Sequence, residues 1–275
     1  MNPTLAWLSK ALRSNWKRLL LGVISIAILL VVWYGVSWWL ESRDPVQASL
    51  VPPPDEVAEA FWWLLSHRDR VTGLYLVEDH MFTSLERVFL GFVLALALAL
   101  PAGLLMGRSW VAESLTRPIV EIFRPIPPLA WAPAFLIIFK IFWGPVAVVF
   151  LGVFFPILFN VMLGARSVDR TLIDAARTLG ARRSHIFAKV VLPYTVPYLM
   201  TGITVGLGIG WMCIVAAEFI AAEGGGLGYF ILANSDFGYY TEMYAGMALI
   251  GLLSALTTGI AGLFENSVYR RMGMK

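Results

Sequence analysis

Charged side chains are scarce in this sequence. They make up 14% of its 275 residues, whereas an ordinary soluble domain has roughly 25%. Hydrophobic residues account for 59% of the chain. A soluble core of this size could not hide so much apolar surface, so we expect lipid to be the surrounding solvent. The composition therefore predicts a membrane protein, with one bundle of helices joined by short loops.

Groups that carry catalysis or bind metals are also scarce. Cys213 is the only cysteine, which excludes an internal disulfide, and the three histidines show no metal-ligand spacing. The sequence contains no GxxxxGK[ST] phosphate-binding loop, and no Ser-His-Asp arrangement stands out. We therefore expect a chain that is not an enzyme and binds no cofactor. The net charge of +3 is explained by basic residues beside apolar segments, not by nucleic-acid binding.

Six apolar segments predict an all-α bundle of six spans. They are Leu19–Leu40, Leu85–Gly107, Ile119–Phe142, Pro145–Ala165, Thr195–Ala222 and Met243–Phe264. The first holds 22 residues without a charge, which exceeds the roughly 7–15 apolar residues of a signal peptide. We interpret it as an uncleaved span, with a signal peptide as the alternative. Prolines interrupt the third and fourth segments, which makes both candidates for lining a path or for simple kinking.

Basic residues set the predicted orientation. With the amino terminus inside, the loop 41–84 lies outside and holds eight acidic residues against three arginines, while most other Lys and Arg residues lie inside. This bias predicts that both termini are inside. The expected parts are a cytoplasmic segment 1–18, a first span 19–40, a periplasmic loop 41–84 with an amphipathic helix capped by Asp55, a core 85–266 and a cytoplasmic tail 267–275.

A stripe of glycines marks one face of the fifth apolar segment. Gly202, Gly206 and Gly210 are spaced by four residues, so they share one side of a helix. Removing three side chains lets another helix come close. The stripe predicts tight helix packing, either within the chain or along the seam with a second copy. We favour the seam.

The longest polar segment on the predicted inner side covers residues 166–193, which we call the coupling segment. Asp169 is expected to cap a helix that reaches about Leu179, where Gly180 can end it. A second short helix is predicted over residues 184–191, and Leu192-Pro193 is expected to break it before the fifth span. A slim helix pair of this kind is suited to insertion into a groove on another protein.

The coupling segment resembles the EAA loop of binding-protein-dependent ABC permeases. The matching pattern is an acid, two small residues, a glycine four positions on and a later Leu-Pro. The residues expected to couple to an ATPase are Asp174, Ala175, Ala176, Gly180, Arg182, Arg183, Ile186, Leu192 and Pro193. Asp174 stands where the family has Glu, which keeps the charge.

The resemblance implies a type I importer fold in a bacterial inner membrane. It also implies two cytoplasmic ATPase subunits that hold ATP and Mg, a second copy of this permease, and a periplasmic or lipid-anchored solute-binding protein. Transport would then proceed by alternating access. The stretches Pro118–Ile137 and Gly202–Ile231 resemble permeases of the nitrate, taurine, alkanesulfonate and bicarbonate group, most of all the taurine type. They imply a small anionic or zwitterionic solute.

Several residues are candidates for the solute path or its gate. They are Trp131, Trp211, Glu218, Glu223, Gly224 and Gly225. Glu218 lies among apolar neighbours, where an ionisable group predicts function. It could pair with Arg87 or Lys140, hold a gate by hydrogen bonds, or meet the ammonium of a zwitterion. The alternative function is a gradient-driven transporter or channel that uses Glu218 as an ion or proton site.

Overall fold

The computed structural model describes residues 3–67, 77–221 and 224–273, and these ranges are helical with no strand. The α-helices are α1 (Pro3–Glu41), α2 (Pro45–Leu50), α3 (Pro54–Ser66), α4 (Glu78–Arg108), α5 (Trp110–Phe123), α6 (Ala132–Arg166), α7 (Arg170–Thr178), α8 (Arg183–Ile186), α9 (Leu192–Ala221), α10 (Leu227–Asp236) and α11 (Tyr240–Arg271). A short 3-10 helix, Pro128–Trp131, precedes α6, and a π-helical turn, Phe187–Val191, precedes α9.

Helices α4, α6 and α9 form the core of the bundle. Small residues on α4 bring it close to α6: Ala95 and Ala99 are fully buried, and a Cβ on Gly103 would lie 2.8 Å from the Leu158 carbonyl oxygen. Because a side chain in these places would push the helices apart, the small residues set the distance between them. The all-α class predicted from composition is confirmed.

The glycine stripe of α9 packs inside the chain. A Cβ on Gly202 would lie 3.1 Å from Ile157 Cα, and Cβ atoms on Gly206 and Gly210 would each lie 3.1 Å from a methyl of Val153. The expected helix packing is therefore present. The preferred seam with a second copy is not found on this face, because α6 already occupies it.

The third and fourth apolar segments meet at a reversal of the chain. Lys140 interrupts α6 with φ 65° and ψ −177°. A Cβ on Gly144 would lie 3.0 Å from Leu136 Cα, although eight helical residues would span about 12 Å. The chain thus folds back on itself here. Within the described residues, five helical stretches are long and apolar enough to cross a membrane when Pro128–Arg166 is counted as one. The count of six spans and the inside termini stay predictions.

The predicted break at Leu192-Pro193 is wrong. Helix runs from Arg183 to Ala221, and the wide turn Phe187–Val191 carries it past the proline. The Leu192 N–H donates to the Phe187 carbonyl, five residues back. A proline lacks an N–H and its ring clashes with the preceding turn of an α-helix. The widened turn makes room for Pro193 without ending the helix.

The outer helices rest on one edge of the core. Trp33 of α1 donates its indole N–H to the Pro52 carbonyl oxygen at 3.0 Å and lies against Tyr244 of α11. Helix α3 buries Val57 and Leu64. The expected cap at Asp55 is wrong, because α3 begins one residue earlier at Pro54, whose fixed φ suits a first helical position.

Candidate functional site: the coupling segment and a buried ion pair

Helix α7 forms the exposed part of the coupling segment. The Asp169 side chain accepts the Thr171 N–H at 2.8 Å, which confirms the predicted cap. This hydrogen bond holds the pKa of the Asp169 carboxyl below its usual range. Asp174 pairs with Arg177 across 3.1 Å on the solvent side. The neighbouring Ile173 is buried and anchors α7 to the core.

Gly180 ends α7 as predicted. Its φ of 78° lies in the left-handed region, and its N–H donates to the Arg177 carbonyl. The Ala181 N–H returns to the Ala176 carbonyl at 3.0 Å, which completes a Schellman-type end. The turn leaves Leu179 87% exposed. A large apolar side chain held outward on a rigid turn is suited to a partner's groove.

A surface cavity of about 430 Å³ lies beside this turn, bounded by Ala176, Gly180 and Ile186 with Arg182 and Lys189 at its edge. Ile186 is buried and Ala176 partly buried, so these two join the segment to the bundle. The other predicted coupling residues are exposed: Asp174, Ala175, Gly180, Arg182, Arg183, Leu192 and Pro193. Of the predicted coupling residues, the structure brings Ala176, Gly180, Arg182 and Ile186 together around the cavity.

A buried ion pair lies at the opposite end of α9. Arg87 Nη1 is 2.9 Å from Glu218 Oε1, and the side chains are 1% and 0% exposed. Ser84 donates to the same carboxylate at 2.9 Å, and the Gly228 N–H donates to it at 2.9 Å. We call Ser84, Arg87 and Glu218 the buried cluster. The structure selects Arg87 from the two partners considered for Glu218.

The buried cluster also holds the glycine loop that joins α9 to α10. Arg87 donates to the carbonyl oxygens of Gly224 at 2.6 Å and Gly225 at 2.9 Å. Ser84 accepts the Leu227 N–H at 2.8 Å. Gly225 and Gly226 have positive φ, which glycine adopts at little cost. With the Gly228 N–H to Glu218 and the Gly226 N–H to His80, five hydrogen bonds join the described residues 224–228 to α4 and α9.

Two further path candidates, Trp131 and Trp211, have partners outside the buried cluster. Trp131 stacks between Phe123 and Phe135. Trp211 is 1% exposed and donates its indole N–H to Thr257 at 2.8 Å, which is a packing position. Glu223 lies outside the described residues. The roles of the path candidates in a passage or gate stay predictions.

Sequence reasoning missed two groups of residues. Ser84 and His80 hold the loop, since His80 Nδ1 accepts the Gly226 N–H at 3.2 Å. Glu265 of α11 contacts Thr201 and Thr204 of α9. Spacing could have found Ser84 and His80, because they lie three and seven residues before Arg87 on one helix face. The Glu265 contacts depend on how α11 packs, for which the sequence has no signal.

Comparison with known proteins gives one consistent family. Residues 88–273 match the model for the binding-protein-dependent transport system inner membrane component. A putative ABC transporter permease protein of Methanocaldococcus jannaschii is 36% identical over 88% of both chains. The taurine transport system permease protein TauC of Escherichia coli is 31% identical over 90% of this chain and 89% of its own. The nitrate import permease protein NrtB of Synechocystis is 29% identical over 89% and 87%.

A solved structure supports the fold. The MetNI methionine ABC transporter, in an inward-facing conformation, contains a chain that is similar with a TM-score of 0.56 and 23% identity. The match covers 70% of the present chain and 96% of that chain. This likeness agrees with the type I importer fold that the resemblance of the coupling segment implies.

Proposed function

Because the chain belongs to the family of binding-protein-dependent transport system inner membrane components, we propose that it is the permease subunit of an ATP-driven importer. It passes a small anionic or zwitterionic solute from a periplasmic binding protein to the cytoplasm by alternating access. Two copies work with two ATPase subunits, which hold ATP and Mg, in a bacterial inner membrane. Each permease has six spans and both termini inside.

The coupling segment is the observation that carries this proposal. It presents Leu179 and the cavity beside Gly180 outward, while Ile173 and Ile186 anchor it to the core. An exposed, rigid element joined directly to α6 and α9 can transmit a push from a partner to both spans. The taurine and nitrate relatives support the solute class.

The gradient-driven alternative is not favoured. Glu218 is neutralised by Arg87 and accepts hydrogen bonds from Ser84 and Gly228. A carboxylate that is satisfied on all sides and 0% exposed is a poor site for a travelling ion or proton. The buried cluster is better explained as the support of the glycine loop.

Two variants test the coupling. Gly180→Pro cannot keep a φ of 78° or donate to Arg177, and Ala176→Trp fills the cavity beside the turn. Both are expected to leave the protein inserted while ATP hydrolysis no longer drives uptake. Leu115→Ala, at an exposed position of α5, is the control.

The measurement is ATP hydrolysis and solute uptake in proteoliposomes that contain permease, ATPase and solute-binding protein. Uptake by either variant with the wild-type ratio of solute to ATP would contradict the proposal. Uptake in permease-only liposomes under an ion gradient would favour the alternative.

A further inference from the structure

A second carboxylate in the spans, Glu265 of α11, faces α9 at the end of the bundle that carries the coupling segment. Thr201 Oγ1 lies 2.6 Å from Glu265 Oε1, and Thr204 Oγ1 lies 2.8 Å from Oε2. The Tyr269 hydroxyl is 3.1 Å from Thr201 Oγ1. One carboxylate and three hydroxyls therefore share a partly buried space between the two helices.

Glu265 differs from Glu218 in its charge balance. Arg87 neutralises Glu218 at 2.9 Å, whereas none of the Lys and Arg side chains that the structure describes lies within 4.0 Å of the Glu265 carboxylate. A carboxylate among apolar spans is costly unless a cation or several donors accompany it. Hydroxyls supply donors here but no positive charge, so the site is complementary to a cation.

The position of the carboxylate suits a solute in the spans. Side chains on a helix lean toward its amino terminus, so the carboxylate of Glu265 lies farther from the basic end Arg270–Arg271 than its own Cα does. It lies level with Thr201 and Thr204, two to three turns into α9. These residues lie on the continuous helix Arg183–Ala221, so movement of α8 reaches them along that helix.

The threonine hydroxyls can release the carboxylate when a cation arrives. Thr204 Oγ1 is 3.0 Å from the Met200 carbonyl oxygen as well as 2.8 Å from Glu265. A hydroxyl has one hydrogen, which can serve only one of these acceptors at a time. When the hydrogen turns to Met200, a carboxylate oxygen and a hydroxyl oxygen are both free to accept.

We propose that Glu265, Thr201 and Thr204 bind the ammonium group of a zwitterionic solute, such as an aminosulfonate, on its way through the permease. This inference rests on the proposed function and narrows its solute class. The carboxylate supplies the opposite charge, and the hydroxyl oxygens accept the remaining ammonium N–H groups. A sulfonate or nitrate without an amine gains nothing from this site.

Direct binding tests the site without the solute-binding protein. Saturation-transfer NMR on the permease–ATPase complex in nanodiscs would follow taurine and ethanesulfonate, the same sulfonate without the amine. Glu265→Gln keeps the size and one threonine-to-oxygen hydrogen bond, reverses the direction of the other and loses the charge, so we expect the taurine dissociation constant to rise about tenfold. Glu265→Asp is expected to restore most of the binding. Thr258→Val, whose hydroxyl bonds to Ser254 on the same helix, is the matched control and should bind as wild type does.

Three outcomes would overturn the inference. They are a taurine dissociation constant that Glu265→Gln leaves unchanged, an equal loss for taurine and ethanesulfonate, and the absence of saturable taurine binding in wild type. ATP-driven uptake by the wild-type complex is measured separately. Uptake without a role for Glu265 would overturn this inference and leave the proposed function standing.

Discussion

Removing Arg87 should release the glycine loop without unfolding the bundle. Arg87→Leu deletes the donors to Glu218, Gly224 and Gly225 and leaves a carboxylate buried without its counter-charge. Breaking a buried ion pair in this way costs about 3–5 kcal/mol. Each 1.4 kcal/mol is about a factor of ten, so the open loop becomes at least roughly a hundredfold more populated. The core of α4, α6 and α9 stays packed because the pair lies at its end.

Hydrogen–deuterium exchange measures this release directly. The amides of Gly226, Leu227 and Gly228 donate to His80, Ser84 and Glu218, so they are protected only while the loop is closed. Their exchange in Arg87→Leu should accelerate about a hundredfold or more, with amides in the middle of α9 unchanged. Glu86→Gln, at the exposed neighbouring position, is the control. Wild-type exchange at these three amides in Arg87→Leu would refute the reasoning.

The double variant Arg87→Leu/Glu218→Leu distinguishes the effect of an unpaired buried charge from the effect of the lost hydrogen bonds. Removing both partners leaves no buried charge, and an apolar replacement of an ion pair is often neutral. We therefore expect the Gly226 and Leu227 amides to exchange more slowly in the double variant than in Arg87→Leu alone, whereas Gly228, whose acceptor is Glu218, gains no protection. If the loss of protection in the double variant equals the sum of the losses in Arg87→Leu and Glu218→Leu, the two residues are not coupled.

Three further predictions concern packing and capping. Gly103→Ala should destabilise the protein by about 1–3 kcal/mol in thermal unfolding, because its Cβ meets the Leu158 carbonyl; Gly251→Ala, with nothing within 4 Å of its Cβ, should not. Asp169→Ala should lower the stability of α7. The folded protein lowers the pKa of Asp169. The cap therefore stabilises α7 fully above the usual carboxyl pKa, and this stabilisation is lost as the pH falls through the lowered pKa. An effect of Asp169→Ala that is equally large at pH 7 and in strong acid would contradict this prediction. Thr257→Val removes the acceptor of the Trp211 indole and should cost about 1–3 kcal/mol, measured by the shift of the unfolding midpoint; no shift would show that the bond adds nothing.

The sequence by itself determined the class, the apolar segments and the coupling segment. Composition decides that lipid is the solvent, and the cap at Asp169 and the left-handed Gly180 are local features that the residues themselves impose. The pattern from Asp174 to Pro193 was enough to identify the family. These features need no contact between distant parts of the chain, which is why a pattern of residues predicts them.

Only the tertiary structure decided which distant residues meet. The Gly202 stripe could have faced a second copy, and packing against α6 settled that it faces its own chain. Glu218 had two basic candidates, and the approach of α4 to α9 selected Arg87, 131 positions away. Glu265 gave no signal until α11 lay against Thr201 and Thr204. Side-chain partners in a bundle depend on helix rotation and register, and these are fixed by the packing of whole helices.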